Sequence, residues 1–270
     1  MGLRHLAIAA SFLLVAGAGC GSGGRASTSA AHRPGPRKLI AQAARATSHA
    51  TSYHVRLRLI YAGRHRVVLS GLGAADAATG LGKLSIDMSA VKRLNPKSLG
   101  GAVEVVYSKK TLYLHWPRLL EAQPSLKPWL RESVAQATSR SGGPSGTLVS
   151  AGISAPRLLI LTAGAAYRAD EVRSSGGATV DGRAASHYLL LVTPRKLGLR
   201  APRKLRDEVW IDRRGRLVGM LLDFGPLSTP SNGTATFEIE EEFYEFGRPV
   251  HVKLPRPSQV GELSAVRSSQ

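Results

Sequence analysis

The sequence predicts an α+β chain that is mainly β: an antiparallel sheet with helices packed against one face. Three observations carry this. In SYHVRLRLIYAG, Tyr53, Val55, Leu57, Leu59 and Tyr61 alternate with His54, Arg56 and Arg58. Such a strand has one dry and one wet face, as in an antiparallel sheet with a solvated side. Short apolar runs then recur with turn signals between them, before and after a Pro- and Gly/Ser-rich interruption at 117–166. Two later runs, 186–193 and 216–224, are apolar on both faces, as central strands are when helices cover one side.

In chain order, residues 1–19 read as a signal peptide. Arg4 supplies the basic start, and the apolar run from Leu6 to Ala16 has eleven residues. That is too short to cross a bilayer core, which takes about 20. Cys20, the chain's single cysteine, follows at once with a Gly/Ser spacer behind it. This reads as a lipoprotein acylation site, so the thiol is an attachment point for lipid. Ala16-Gly17-Ala18 also fits ordinary A-x-A cleavage, and Gly17 stands where lipoprotein signals usually carry an aliphatic residue. Plain secretion would leave an unpaired thiol in an oxidising compartment, which is uncommon. Residues 20–36 are then the lipidated cysteine and a flexible linker that ends at Pro34 and Pro36.

The body, 37–257, holds about 220 residues, enough for one sizeable core and large but normal for a single sheet domain. It opens on a helix at 37–50, where Leu39, Ile40, Ala43, Ala44 and Thr47 share a side. Strands are expected at 52–63, 65–73, 81–89, 102–108 and 111–116. The interruption carries one helical piece at 127–138, and a second, greasier helix follows at 155–165 with Pro156 in its first turn. Strands resume at 167–176, 186–193, 208–212, 216–224 and 235–247, with a last one at 250–255. Residues 258–270 read as a disordered tail.

The net charge is +19, with Arg outnumbering Lys 27 to 10. An anionic partner competes here with plain surface arginine. The basic stretch 195–216 and the five Glu of 237–245 read as solvated faces that neighbouring strands would pair. Nucleic acid is disfavoured as a partner by the export signal and by the few aromatics, 6% of the chain. Catalytic strings occur only out of context. Gly19-x-Gly21-x-x-Gly24 lies in the leader with no strand before it, and Ser89-x-x-Lys92 sits at a strand end without its companion motifs. The eight His have no ligand spacing. Glu240, Glu241 and Glu242 would suit a hard cation, but consecutive strand residues face opposite sides, so they read as a solvated edge. The expectation is no enzyme, no cofactor and no metal.

Several strings in order resemble the LppX/LprAFG family of actinobacterial lipoproteins, relatives of the LolA-type carriers. They are Thr51-Ser52-Tyr53-His54-Val55, Lys127-Pro128-Trp129-Leu130, the helix Ala155 to Leu161, Val180-Asp181-Gly182-Arg183 with His187-Tyr188, Val209-Trp210-Ile211-Asp212 with Gly215-Arg216-Leu217-Val218, and the ending Phe243 to Val252 with Phe246-Gly247-Arg248-Pro249-Val250 inside it. The resemblance covers nearly the whole body. It implies a strongly curved antiparallel sheet, a half-barrel, with helices on the concave face enclosing an apolar cavity. It also implies a membrane-anchored lipoprotein that binds an acyl lipid, a glycolipid or another hydrophobic ligand and carries or presents it in the cell envelope. The alternative is a sensor or assembly lipoprotein without lipid cargo. Its place would be the outer face of the cell membrane, or secreted. Its partners would be the ligand, the membrane surface and an envelope transporter. Alternation names the lining candidates: Tyr53, Val55, Leu57, Leu59, Leu84, Ile86, Met88, Leu158, Leu159 and Leu161. For each of them ordinary core is the competing role.

Overall fold

The computed structural model describes residues 34–267 except 77, 94–95, 109, 134, 137–154, 198–203 and 230–232. Cys20, the leader and most of the linker lie outside the described residues.

Helix α1 (Pro36–Ser48) leads, with Pro at its start and Ile40, Ala41, Ala43, Ala44 and Thr47 buried. Six strands follow: β1 (Ser52–Ala62), β2 (Arg66–Asp76), β3 (Leu81–Asp87), β4 (Ala102–Tyr107), β5 (Thr111–His115) and, after the short helix α2 (Pro117–Ala122), β6 (Trp129–Ser133). Helix α3 (Ala155–Arg168) opens the second half. Then come β7 (Glu171–Val180), β8 (Arg183–Val192), β9 (Leu205–Asp212), β10 (Leu217–Thr229), β11 (Gly233–Tyr244), β12 (Val260–Glu262) and a last turn of helix, α4 (Ser264–Arg267). All twelve strands form one sheet in the order β12-β6-β5-β4-β3-β2-β1-β11-β10-β9-β8-β7. Its ends, β12 and β7, do not meet, so the sheet is curved but not closed.

The order explains the two runs of strands. Each half is an antiparallel meander, and the halves join where β1 pairs with β11. Outward charges mark that seam. Arg56 lies opposite Glu242 and Arg58 opposite Glu240, and both pairs are in contact. Exposed cross-strand pairs of this kind contribute only about 0.2–1 kcal/mol each. They discriminate between registers all the same, because a one-residue slip turns every side chain to the other face. The acidic strand therefore pairs with β1, not with the basic stretch 195–216, from which β10 separates it. Part of that stretch finds acids nearby: Lys196 and Lys204 meet Asp170, Arg206 meets Glu208, and Arg216 meets Asp212.

Turn chemistry follows the sequence. The β7–β8 hairpin turns on Asp181 and Gly182, with φ of 48° and 76°, the left-handed pair that tight hairpins favour. Asp212 Oδ1 accepts from the amides of Arg214 and Arg216, both at 2.9 Å, and shapes the β9–β10 turn.

Three expected elements differ. The helical piece at 127–138 begins instead as β6, an extended strand held by β5 on one side and β12 on the other. Pairing on both edges overrides a weak helical preference. The segment 250–255 forms no strand. Part of the expected tail is ordered: Val260–Glu262 adds to β6 in parallel, and Arg131 Nε meets Glu262 Oε1 at 2.6 Å.

Candidate ligand-binding interior

Helices α1 and α3 lie side by side and pack on the sheet at β7–β10. Alanines make the close approach cheap: Ala41, Ala44, Ala165 and Ala166 are at most 2% exposed. Polar ties fix both helices. Arg37 of α1 donates to the carbonyls that end α3, Ala169 O at 2.6 Å and Ala166 O at 3.4 Å, satisfying acceptors the helix itself leaves open. At the other end of α1, Thr47 Oγ1 accepts the Leu217 amide of β10 at 2.8 Å. The Thr162 hydroxyl of α3 hydrogen-bonds the Asp207 carboxyl on β9.

Under this layer lies one continuous apolar cluster. The first-half candidates occupy it as rows across the sheet. Val55, Gly73 and Leu84 are successive partners on β1, β2 and β3, and Leu57, Gly71 and Ile86 form the next row. The two glycines of β2 have no side chain to stand between the rows. A Cβ at Gly73 would lie 2.9 Å from Val55 Cγ1 and 3.1 Å from Leu84 Cδ1. Side chains two strands apart therefore meet over β2. Tyr53, Val55, Leu57, Leu84, Ile86 and Leu159 are buried, while Leu59 and Met88 are partly buried against the same cluster. The side chains of Leu158 and Leu161 lie outside the described residues. Helix α3 is less enclosed than its composition suggests, since Ile160 is 69% and Tyr167 53% exposed.

Two cavities border this region. One, of about 280 Å³, is a groove between α1 and α3 lined by Ala44, Leu159, Ile160, Ala163 and Tyr167. Arg45 stands over the Tyr167 ring at 5.8 Å. Among the described residues, Leu159 is the sequence-chosen candidate that lines it. The other, of about 530 Å³, is lined by Arg183, Arg213, Arg214, Arg216 and Phe246. Arg216 is engaged there by Asp212 at 2.7 Å and lies 4.1 Å above the Phe246 ring.

The interior also holds polar groups, and one corrects an expectation: Glu241, read with Glu240 and Glu242 as a solvated edge, is buried because β11 lies inside the sheet between β1 and β10. Glu241 is 2% exposed and Asp207 1%. Burial raises the Glu241 carboxyl to about 8. Burial likewise raises Asp207 to about 8, helped by the Glu208 charge and opposed by the Thr162 hydroxyl. Both are thus largely protonated at neutral pH. Tyr53 and Tyr107 are buried as well, and their phenols are shifted upward, chiefly by burial. The signal was present in the sequence. Phe237, Ile239, Glu241 and Phe243 share one phase of β11, and Leu205, Asp207, Val209 and Ile211 share one phase of β9. In each strand the acid occupies a core position. Among the described residues no group of three or more His, Cys, Asp or Glu is placed to hold a metal ion.

No family model and no curated protein sequence matches the chain. Solved structures do match its fold. The lipoprotein LppX of Mycobacterium tuberculosis superposes with a TM-score of 0.50 at 15% identity, covering 80% of this chain and 97% of that one. LprF of Mycobacterium bovis gives 0.42 at 14% identity, covering 81% and 96%. A LolA superfamily protein of Nitrosomonas europaea gives 0.32 at 11% identity, covering 81% and 94%. The chain has the half-barrel fold of LppX.

Proposed function

We propose that the protein is a membrane-anchored lipoprotein that takes acyl chains of a lipid or glycolipid into the interior beneath α1 and α3 and carries or presents them in the cell envelope. The observation that carries this reading is the interior itself. Long apolar side chains of β1, β3 and α3 lie under a helix pair that Thr47 ties to β10 and Thr162 to β9. The likeness to the LppX fold agrees with it. The α1–α3 groove gives an acyl chain a way from the surface to Leu159. Burying each methylene yields about 0.8 kcal/mol, so a chain of about fifteen carbons gains on the order of 10 kcal/mol before ordering costs. Exchange with a bilayer, equally dry, is then near isoenergetic and needs no coupled reaction. The chemistry is binding, not catalysis.

Native mass spectrometry of the protein expressed without residues 1–20 tests this. Lipid masses retained by the folded protein are the expected result. Repeated absence of lipid, with no uptake of a fluorescent fatty acid, overturns it. The close packing of Tyr53, Val55, Leu57, Leu84 and Ile86 in one cluster favours a second reading, a sensor or assembly lipoprotein with a filled core, and that negative result would select it.

The anchor is tested separately. Cys20→Ser is expected to move the protein from the membrane fraction to the soluble one. Unchanged membrane association would remove acylation of Cys20 from the proposal.

A further inference from the structure

We infer that Tyr53, Tyr107 and Glu241 form a hydrogen-bonding site within the interior that takes an uncharged oxygen-bearing group of an amphiphile: a hydroxyl, or the carbonyl of an ester or amide. This rests on the lipid-binding reading above and supplies the headgroup chemistry that reading leaves open.

The placement comes from register. Tyr53 on β1 lies opposite Ala75, Ala75 opposite Gly82, and Gly82 opposite Tyr107 on β4. Two tyrosines thus face inward from one row, with only small residues between them. The Tyr107 ring folds down onto the gap at Gly82. A Cβ there would lie 2.0 Å from the ring carbon that bears the hydroxyl and 2.2 Å from the hydroxyl oxygen. Glu241 enters from β11, opposite Leu57 on one side and Met220 on the other. It lies near enough that its charge would act on both phenols. The Tyr53 ring is held edge-on by Phe243 at 5.6 Å and flanked by Phe246 at 6.4 Å, so its direction is set by packing.

The chemistry comes from what these groups lack. Tyr53, Tyr107 and Glu241 are 1%, 3% and 2% exposed. Each has an oxygen without a hydrogen-bond partner among the described residues: Tyr53 Oη, Tyr107 Oη and Glu241 Oε2. Native interiors satisfy nearly all such atoms, because an unmet one carries its full desolvation cost. Phe or Met would fill the same space without that cost. Three unmet oxygens within electrostatic reach of one another in an otherwise apolar interior are therefore complementary to something other than the protein. A carboxylic acid and two phenols each both donate and accept, which suits a hydroxyl or a carbonyl. Among the described residues no buried side chain is Lys, Arg or His. A phosphate or carboxylate would find no counter-charge there.

The test is competition among sixteen-carbon probes for the purified full-length protein at pH 7. Monopalmitoylglycerol, palmitate, hexadecylamine and hexadecane are offered as an equimolar detergent dispersion, and bound masses are read by native mass spectrometry. Monopalmitoylglycerol is expected to exceed each of the others by about tenfold or more, the weight of one or two satisfied hydrogen bonds. Tyr53→Phe and Tyr107→Phe remove only the oxygen. Each is expected to cut that preference by about five- to tenfold, to leave hexadecane binding unchanged, and to raise the melting temperature of the unloaded protein. Glu241→Gln, which still donates and accepts, keeps the preference, whereas Glu241→Met loses it. A purely structural role would instead lower stability in the Phe variants and spare the preference, and that result overturns the site. So does a wild-type preference for palmitate or hexadecylamine. Uptake of none of the four removes the lipid-binding reading and this site's ligand with it.

Discussion

The Asp207→Asn, Glu241→Gln double variant is expected to melt about 10 °C above the parent protein at pH 8, with the gap closing toward pH 4.5. Both carboxyls sit in the apolar interior, and burial raises each to about 8. In the unfolded chain they titrate near the ordinary value of about 4. Between those limits the unfolded state has released the proton while the folded state retains it. The folded state binds more protons, so stability is full below the unfolded pKa and is lost as pH rises through the folded one. Each group costs about 1.4 kcal/mol per pH unit in that window. Summed over the whole window this rivals the 5–15 kcal/mol of a typical domain. Relaxation around an ionised carboxyl trims the loss, and about 4 kcal/mol between the extremes corresponds to the stated shift at about 2–4 °C per kcal/mol. The two amides do not titrate, and the amide oxygen introduced by Asp207→Asn still accepts from Thr162. Differential scanning calorimetry from pH 4.5 to 9 checks it; parallel curves for parent and variant would show that neither carboxyl is protonated in the fold. The single variants separate the two contributions.

Gly73→Ala is expected to destabilise the protein by about 2–4 kcal/mol, although alanine in place of glycine ordinarily helps a strand. The added Cβ would lie 2.7 Å from the Lys83 carbonyl oxygen and 2.9 Å from Val55 Cγ1. A side chain can turn away, but a carbonyl already in the β2–β3 ladder cannot move without opening the ladder. Gly71→Ala meets its nearest backbone oxygen, that of Ser85, at 3.0 Å and should cost less. Adding Val55→Ala to Gly73→Ala relieves the side-chain contact only, so it should restore little. Urea denaturation of the three variants measures these differences. A Gly73→Ala protein as stable as its parent would mean that β2 and β3 separate easily. The rows Val55–Gly73–Leu84 and Leu57–Gly71–Ile86 would then not be what closes the first half of the interior.

The strands were legible wherever side chains alternate or a turn residue is forced. Tyr53 to Tyr61 mark β1, Asp181-Gly182 mark a hairpin, and Ile40, Ala43, Ala44 and Thr47 mark the buried stripe of α1. Local rules suffice there, because the face a residue takes depends only on its neighbours a few positions away. Leu57 and Ile86 were likewise identifiable as inward residues. The same alternation, applied to Glu241 and Asp207, places both acids inside; their charge argued otherwise, and only the packed sheet decides that contest by showing what surrounds them.

The sequence by itself determined most of the strands of the two meanders, which face of β1 is dry, and the order of those meanders around an irregular middle. Tertiary structure alone decided that the meanders join at β1 and β11, where Arg56 and Arg58 meet Glu242 and Glu240. It also decided that Trp129–Ser133 is a strand, since β5 holds one edge and the distant segment Val260–Glu262 holds the other. It alone placed Tyr53, Tyr107 and Glu241, from three separate strands, in the same buried interior. The reason is physical: alternation is written in the spacing of adjacent residues, whereas strand partnership, and with it any site assembled across a sheet, depends on which distant edges remain to be satisfied once the chain has folded.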